Sequence, residues 1–193
     1  MKIDLTLEIT PTLLLEAKEN QKPELEGHLG THFDVMDQAF PLAYTERKAV
    51  VFDVTHVKGR DIDLCDIDLS RVEAEQFVAF HSGFSDTEPY GTRRYYKEHP
   101  QLSMALINAL LEKQISIIGI DFAGVRRGAE HIPTDQACAE KGVFVIENLR
   151  HLETLFTHEG PLVFHTYPMH MTGMTGLPCR VIAEIEHSGF GLI

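Results

Sequence analysis

The order of apolar and polar positions predicts a chain of strands separated by short helices. Residues 2–8 alternate between apolar and polar side chains, which is typical of a strand with one buried face. Four continuous apolar segments predict buried strands, at 48–56, 76–81, 115–121 and 143–147. Two further segments predict a strand pair with a glycine-rich connection between them, 161–171 and 179–185.

Helical periodicity occupies the intervals between these strands. Ser103 predicts the N-cap of a helix whose apolar stripe has i, i+3, i+4, i+7 spacing and consists of Leu106, Ala109, Leu110 and Lys113. Two shorter helices are expected, at 92–99 and at 134–141, and Gly142 ends the second of them. Residues 13–19 predict either a short helix or a loop across a pocket, and Pro23 closes that segment.

This alternation predicts an α/β fold with mixed strands and flanking helices, and the length of 193 residues fits one domain spanning 1–193. The charge balance then narrows the partners. Asp and Glu number 29 against 17 Lys and Arg, which gives a net charge of −12. A surface of this sign repels phosphate backbones and anionic lipid, so we expect neither a nucleic-acid nor a membrane partner.

Cysteine use and the N-terminus indicate the compartment. The 3 cysteines are scattered, which argues against a disulfide framework. The first residues, MKIDLTLEIT, carry acids and lack the apolar core of a signal peptide, and the chain contains no run of 18 apolar residues. We therefore expect a soluble, cytoplasmic protein.

The stretch GHLGTHFD carries the strongest chemical signal in the sequence. His28 and His32 are four residues apart, and Asp34 follows two residues later. Imidazole and carboxylate ligands together suit zinc, manganese or iron. His28 and His32 share a face if the stretch is one helical turn, and His32 and Asp34 share a side if it is extended. Both geometries remain open, although a chain with 11 histidines contains such spacings by chance.

Two other positions are candidates for a pocket. His81 ends a predicted strand and precedes a glycine-containing loop, a placement compatible with a pocket residue or with a structural hydrogen bond. Glu147 ends the predicted strand 143–147. Burying a lone carboxylate there costs several kcal/mol, so this side chain needs a cation or several hydrogen-bond donors.

Together these positions resemble a family of metal-dependent hydrolases, often called cyclases, that includes bacterial kynurenine formamidase and isatin hydrolase. The family motif is HxGTHxDxPxH, and HLGTHFD from His28 to Asp34 matches its first half. Further landmarks follow in the expected order: HPQLS (99–103), GID (119–121), VIENL (145–149) and GLPCR (176–180). The resemblance implies a swivelling β/β/α type of α/β fold, with mixed sheet layers and flanking helices.

The resemblance also implies the ligands. In two-metal members the first ion is held by residues that correspond to His28, His32, Asp34 and Glu147. The second ion shares the Asp and the Glu and adds a His twelve residues before the Glu, where this chain has Asp135. An all-carboxylate half-site of this kind favours manganese or magnesium over zinc, and a single-ion site of zinc or manganese is equally compatible. Family members commonly form homodimers or larger homo-oligomers.

The second half of the motif departs from the family. The proline position is Met36, and the histidine that handles protons is Gln38, which cannot exchange a proton near neutral pH. His81 and Asp37 are the substitutes we consider. The sequence therefore predicts metal-dependent hydrolysis of a small amide, lactam or ester, as in a formamidase. The alternatives are a metal- or ligand-binding paralogue with little turnover, and a structural protein without metal.

Overall fold

The computed structural model describes residues 1–19 and 27–185; Pro23 lies outside these ranges. Eight strands form one mixed sheet: β1 Lys2–Asp4, β2 His32–Asp34, β3 Glu46–Asp53, β4 Phe77–His81, β5 Ile117–Ile120, β6 Phe144–Glu147, β7 Leu162–Pro168 and β8 Gly176–Ile185. The α-helices of the described ranges are α1 Pro11–Glu19, α2 Phe84–Thr87, α3 Arg93–Glu98, α4 Met104–Glu112 and α5 His131–Glu140.

The sheet closes on itself into a barrel. Strands β3, β4, β5 and β6 pair in parallel, and β2 lies antiparallel between β6 and β8. On the other side β7 pairs antiparallel with β3 and with β8. Because β8 bonds to both β2 and β7, the ring is complete, and β1 adds to β8 beyond β2. The expected α/β fold, with mixed strands and flanking helices, is confirmed.

Two apolar clusters explain why the strands are continuously apolar. One cluster takes a buried residue from each strand of the ring: Phe33, Val51, Phe77, Ile117, Ile146, Phe164 and Val181. The alternate positions, such as Val78 and Ile118, belong to a second cluster that includes Leu106 and Leu110 of α4. Since successive side chains of a strand point to opposite faces, strands covered on both faces need apolar residues at every position.

Two helix boundaries test the sequence patterns. The cap of α4 is confirmed, because the Ser103 hydroxyl accepts a hydrogen bond from the Leu106 amide at 3.0 Å. The expectation for α5 is wrong at its start: the helix begins at His131, three residues before 134. Pro133 falls in the first turn, where a missing N–H costs no intrahelical hydrogen bond.

Strand β8 is longer than its apolar pattern indicates. It begins at Gly176, whereas the sequence placed residues 172–178 in a connection. The extra residues pair with β2, with Pro178 opposite His32 and Gly176 opposite Asp34. The extension therefore holds β2 from the side opposite β6. For 13–19 the structure contains the helical alternative, within α1.

Candidate metal centre

Strand β2 decides the geometry of the GHLGTHFD stretch. Residues His32–Asp34 are extended, and His32 lies opposite Glu147 in the antiparallel pairing of β2 with β6. His32 and Asp34 therefore point to the same side of the sheet. Gly30 turns the chain just before the strand with a φ of 72°, a conformation that glycine adopts without strain.

Three side chains of this stretch converge with Glu147. The Nδ1 atom of His28 lies 3.0 Å from Asp34 Oδ1 and 3.0 Å from His32 Nε2. His32 Nε2 in turn lies 3.5 Å from Asp34 Oδ1 and 3.6 Å from Glu147 Oε2. A Cβ atom at Gly176 would lie 2.7 Å from the His28 ring, so this glycine makes room for the imidazole. The four residues that the sequence predicted as ligands meet at one point.

A buried hydrogen-bond network orients His32. Its Nδ1 donates to the Gly30 carbonyl at 2.9 Å, which leaves Nε2 directed at the carboxylates. The side-chain amide of Asn148 donates to the same carbonyl at 2.8 Å, and Asn148 Oδ1 accepts from the Tyr95 hydroxyl at 2.8 Å. Metal-binding histidines characteristically use one nitrogen for such a bond and the other for the ion.

Helix α5 adds two more groups to the cluster. His131 Nε2 lies 3.0 Å from Asp135 Oδ2, one helical turn away, and 3.3 Å from Glu147 Oε1. Asp135 is buried where the sequence predicted a second half-site. His131 was missed because it fell in a predicted loop. Its i, i+4 spacing to Asp135 was the available signal, but only a helix that starts at His131 gives that spacing meaning.

The charges of this cluster shift the pKa values of its members. Burial opposes protonation of His32, but the charges of Asp34 and Glu147 and the hydrogen bonds to Asp34 and Gly30 together outweigh it and raise the pKa of His32 to about 9. The close contacts of the His131 ring with the carboxylates of Asp135 and Glu147 raise the pKa of His131 to about 11. Burial raises the pKa of the Asp135 carboxyl to about 7, and burial beside Asp34 raises that of Glu147. Without a cation, protons on the imidazoles balance the buried carboxylates.

The donor set fits a divalent cation. One carboxylate oxygen of each of three buried residues has no hydrogen-bond partner among residues 1–19 and 27–185: Asp34 Oδ2, Asp135 Oδ1 and Glu147 Oε1. Such oxygens carry a full desolvation cost unless a cation or a proton offsets it. Two groups of potential ligands have their donor atoms within 4.8 Å of one another, and they share Asp34: His28, His32, Asp34 and Asp34, His131, Glu147. This is the chemistry of a metal site with imidazole and carboxylate ligands.

A cavity of about 570 Å³ opens onto this cluster. One wall contains His28, His32, His131 and Glu147. The rest of the lining is mixed and includes the apolar and aromatic side chains of Leu29, Tyr90 and Tyr96, the cations Lys97 and Arg127, and the acid Glu16. The space suits a small molecule that carries both apolar and polar parts.

His99 also lines this cavity. Its ring is 2% exposed, stacks on Phe122 with 5.6 Å between the ring centroids, and donates through Nδ1 to the Pro100 carbonyl at 2.7 Å. Burial lowers the pKa of His99 to about 4, so the ring is neutral. The sequence pointed to this residue only as part of the HPQLS landmark.

The proposed proton-handling residues lie elsewhere. Gln38 is exposed, donates to Asp37 Oδ1 at 2.8 Å, and lines a different cavity together with Asp37 and Met36. His81 is the last residue of β4, and its Nδ1 lies 3.3 Å from Asp121 Oδ2. Among the described residues that line the 570 Å³ cavity, none of Asp37, Gln38 and His81 is present. A proton-transfer role for these residues stays a prediction.

Comparison with known families agrees with this geometry. Residues 3–126 match the family model described as "Putative cyclase". The chain belongs to this family. The matched region contains His28, His32 and Asp34 and ends before His131, so the cyclase-family assignment rests on the first part of the site. No curated protein sequence is significantly similar to the chain.

Solved structures extend the likeness to nearly the whole cyclase-family chain. A potential metal-dependent hydrolase with cyclase activity is 26% identical, with a TM-score of 0.74, over 95% of this chain and 96% of the other. A predicted metal-dependent hydrolase from Bacillus stearothermophilus is 25% identical, with a TM-score of 0.72, over 95% and 97%. Isatin hydrolase A from Ralstonia solanacearum shares the fold at 17% identity, with a TM-score of 0.74, over 96% and 92%.

Within the described ranges, the helices are too short or too polar to cross a membrane.

Proposed function

We propose that this cyclase-family protein is a metal-dependent hydrolase that cleaves a small amide, lactam or ester, in the manner of a formamidase. One observation carries the proposal. The buried carboxylates of Asp34 and Glu147 meet the ring nitrogens of His28 and His32 at the wall of a cavity, and each keeps its other oxygen without a hydrogen-bond partner among the described residues. The names of the two structural relatives at 25–26% identity, both metal-dependent hydrolases, support the same reaction class.

The residues divide the work by position. His28, His32, Asp34 and Glu147 would hold zinc or manganese, and His131 with Asp135 would complete a second position that shares Asp34. Such an ion lowers the pKa of bound water and polarises a carbonyl. The Gly30 carbonyl and Asn148 fix the His32 ring, so that its Nε2 stays directed at the carboxylates. Tyr90 and Tyr96 provide apolar walls that exclude water from a bound substrate.

A neutral imidazole is available inside the cavity. Because Nδ1 of His99 bonds to the Pro100 carbonyl, its Nε2 carries a lone pair and accepts a hydrogen bond. We propose that this nitrogen orients a polar hydrogen of the substrate. Its low pKa keeps it an acceptor throughout the neutral range.

The proposal is tested with metal and substrate together. The purified protein is stripped of metal, reloaded with zinc or manganese, and assayed on formyl-amide, lactam and ester substrates. We expect turnover that depends on the added ion and disappears in Glu147→Gln. The matched control is Glu73→Gln, at an exposed glutamate, which should behave as wild type. Ion-dependent turnover that persists in Glu147→Gln would contradict the proposal.

One observation favours a second function, a metal- or ligand-binding paralogue with little turnover. Gln38 replaces the family's proton-handling histidine, and its side chain is bonded to Asp37 at a separate cavity. The same experiment distinguishes the two functions. A stoichiometric ion bound through Glu147, with no turnover of any substrate class, would support the paralogue. Assembly into a homodimer or a larger homo-oligomer, which the resemblance implies, stays a prediction.

A further inference from the structure

A third group of potential ligands lies outside the two groups that share Asp34. One nitrogen of His81 and one carboxylate oxygen each from Asp86 and Glu153 lie within 4.8 Å of one another. The three residues come from different elements: His81 ends β4, Asp86 is in α2, and Glu153 is in the 3₁₀ segment Leu152–Thr157. None of them lines the 570 Å³ cavity.

His81 differs from an ordinary surface histidine. Its side chain is only 9% exposed, and Nδ1 lies 3.3 Å from Asp121 Oδ2. Because Asp121 takes up Nδ1, Nε2 is the ring nitrogen that remains available to a ligand. A buried imidazole held in this way at one nitrogen presents the other in a fixed direction.

Asp121 is itself firmly held. Its carboxylate accepts hydrogen bonds from the Ser82 hydroxyl at 2.6 Å, the Ser82 amide at 3.0 Å and the Gly83 amide at 2.9 Å. These bonds fix the carboxylate against His81 Nδ1 and so fix the ring. A carboxylate on one imidazole nitrogen, with the other nitrogen open, is the arrangement that orients histidine ligands of metal ions.

We propose that His81, Asp86 and Glu153 form a second cation site, which takes a zinc-type transition ion through His81 Nε2 and the two carboxylates. Three protein ligands leave at least one coordination position for water. Zinc–ligand distances of about 2.0–2.2 Å place neighbouring ligand atoms about 3.4 Å apart. Asp86 and Glu153 are exposed, and so their side chains are able to close the remaining distance by rotation.

The side chains around this group add charge and packing. Asp53 lies opposite His81 in the pairing of β3 with β4 and adds a negative charge nearby. His151 Nδ1 lies 3.7 Å from Glu153 Oε1, so an exposed imidazole competes for this carboxylate when it is protonated. The ring of Phe156 covers one side of His81, with 5.8 Å between the ring centroids. The only buried ligand is thus the one whose orientation Asp121 fixes.

The test uses the full chain and zinc chloride as the probe. Zinc binding is titrated calorimetrically, and the site is located by anomalous scattering at the zinc edge from crystals soaked in zinc. We expect an anomalous peak between His81, Asp86 and Glu153, and an equivalent with micromolar affinity. Glu153→Gln and Asp86→Asn should each weaken that equivalent about tenfold or more, while the equivalents bound at Asp34 remain.

Glu153→Gln and Asp86→Asn alter exposed side chains and should leave folding intact, whereas His81→Gln would alter a buried side chain. The test therefore uses the two exposed positions. The matched control is His56→Gln, which removes an exposed imidazole 3.6 Å from Asp66 and should leave every zinc equivalent unchanged. The proposal is overturned if no peak appears between the three side chains. It is equally overturned if Glu153→Gln and Asp86→Asn bind zinc as wild type does. Neither result depends on hydrolytic activity.

Discussion

The two halves of the segment 28–38 lie at different cavities, although they belong to one sequence motif. In the first half, His28, His32 and Asp34 converge with Glu147 at the wall of a cavity. In the second half, the chain turns so that Gln38 lines a different cavity. Strand pairing holds the residues of the first half in place, whereas a turn sets the direction of the residues in the second half.

Backbone conformation explains the divergence. Strand β2 is hydrogen-bonded on both sides, to β6 and to β8, so the directions of His32 and Asp34 are set by pairing. Met36 has a φ of 56°, and its amide donates to the Thr175 carbonyl at 3.0 Å. The proline of the family motif has a φ of about −65° and no amide hydrogen. A chain with Met36 in this conformation follows a path that proline does not permit.

The largest effect is expected from Asp34→Asn. Asp34 belongs to both groups of potential ligands, so its loss weakens every ion bound there. Mutating a residue that only hydrogen-bonds to a metal ligand typically lowers metal affinity about 10–100-fold. Because Asp34 is itself a proposed ligand, we expect a loss of about 100-fold or more. Calorimetric titration with zinc and with manganese measures it.

The control for this variant comes from the other half of the motif. Asp37→Asn removes an exposed carboxylate that accepts from Gln38 and Gln136, and we expect wild-type metal affinity. Zinc at about 100 times the wild-type Kd of the ion bound at Asp34 should stabilise the wild type and Asp37→Asn by about 2.7 kcal/mol through that ion, and Asp34→Asn by much less. Equal effects of the two substitutions would mean that the halves do not differ as the geometry indicates.

A smaller effect is expected from Asn148→Gly. The variant loses the amide bonded to the Gly30 carbonyl, which positions His32, yet glycine tolerates the φ of 61° at this residue. We expect metal affinity to fall about 10–100-fold. His151→Gly is matched to it, since His151 is exposed and has a φ of 58°; its affinity for the ion bound at Asp34 should not change. Loss of affinity in both variants would point to the backbone rather than to the amide.

His131→Gln separates the two potential ion positions. His131 belongs to one group of ligands and not to the other, so the ion held by His28 and His32 should remain. We expect the affinity for a second equivalent of manganese or zinc to fall about tenfold or more, which is the smallest loss typical of mutating a residue that hydrogen-bonds to a metal ligand. His158→Gln, at an exposed histidine, serves as the control. A single equivalent in the wild type would show that α5 contributes no ion position.

The sequence predicted the motif residues His28, His32 and Asp34 and the strand-end Glu147, and the resemblance added Asp135 on α5. His32, Asp34 and Glu147 follow from a motif and from the position of Glu147 at the end of an apolar strand, since strand ends of one sheet lie close together. His131 could not be predicted, because its place depends on where α5 begins. That start is set by a first turn containing Pro133, which a sequence pattern interprets as a break.

The fold was predictable to a similar degree. Continuous apolar segments located β4, β5 and β6, whose two faces are both covered. The closure of the barrel was not predictable, because it depends on which edges of β8 find partners. Residues 176–178 carry little apolar pattern and become strand only by pairing with β2. Long-range pairing of this kind leaves no local signal in the sequence.

The smallest effect is expected from Gln38→His, which restores the family's proton-handling residue at its motif position. Its side chain is exposed at the second cavity, on the far side of the turn at Met36. A histidine in reach of substrate contributes about 10²–10⁴-fold in rate. We expect kcat/KM on the best substrate, with metal saturating, to change by no more than about twofold relative to wild type. Gln136→His, at a half-buried position of α5 that also contacts Asp37, is the control for an added imidazole. A gain of about 100-fold in Gln38→His alone would mean that the loop after Asp34 brings position 38 to the metal ligands during catalysis.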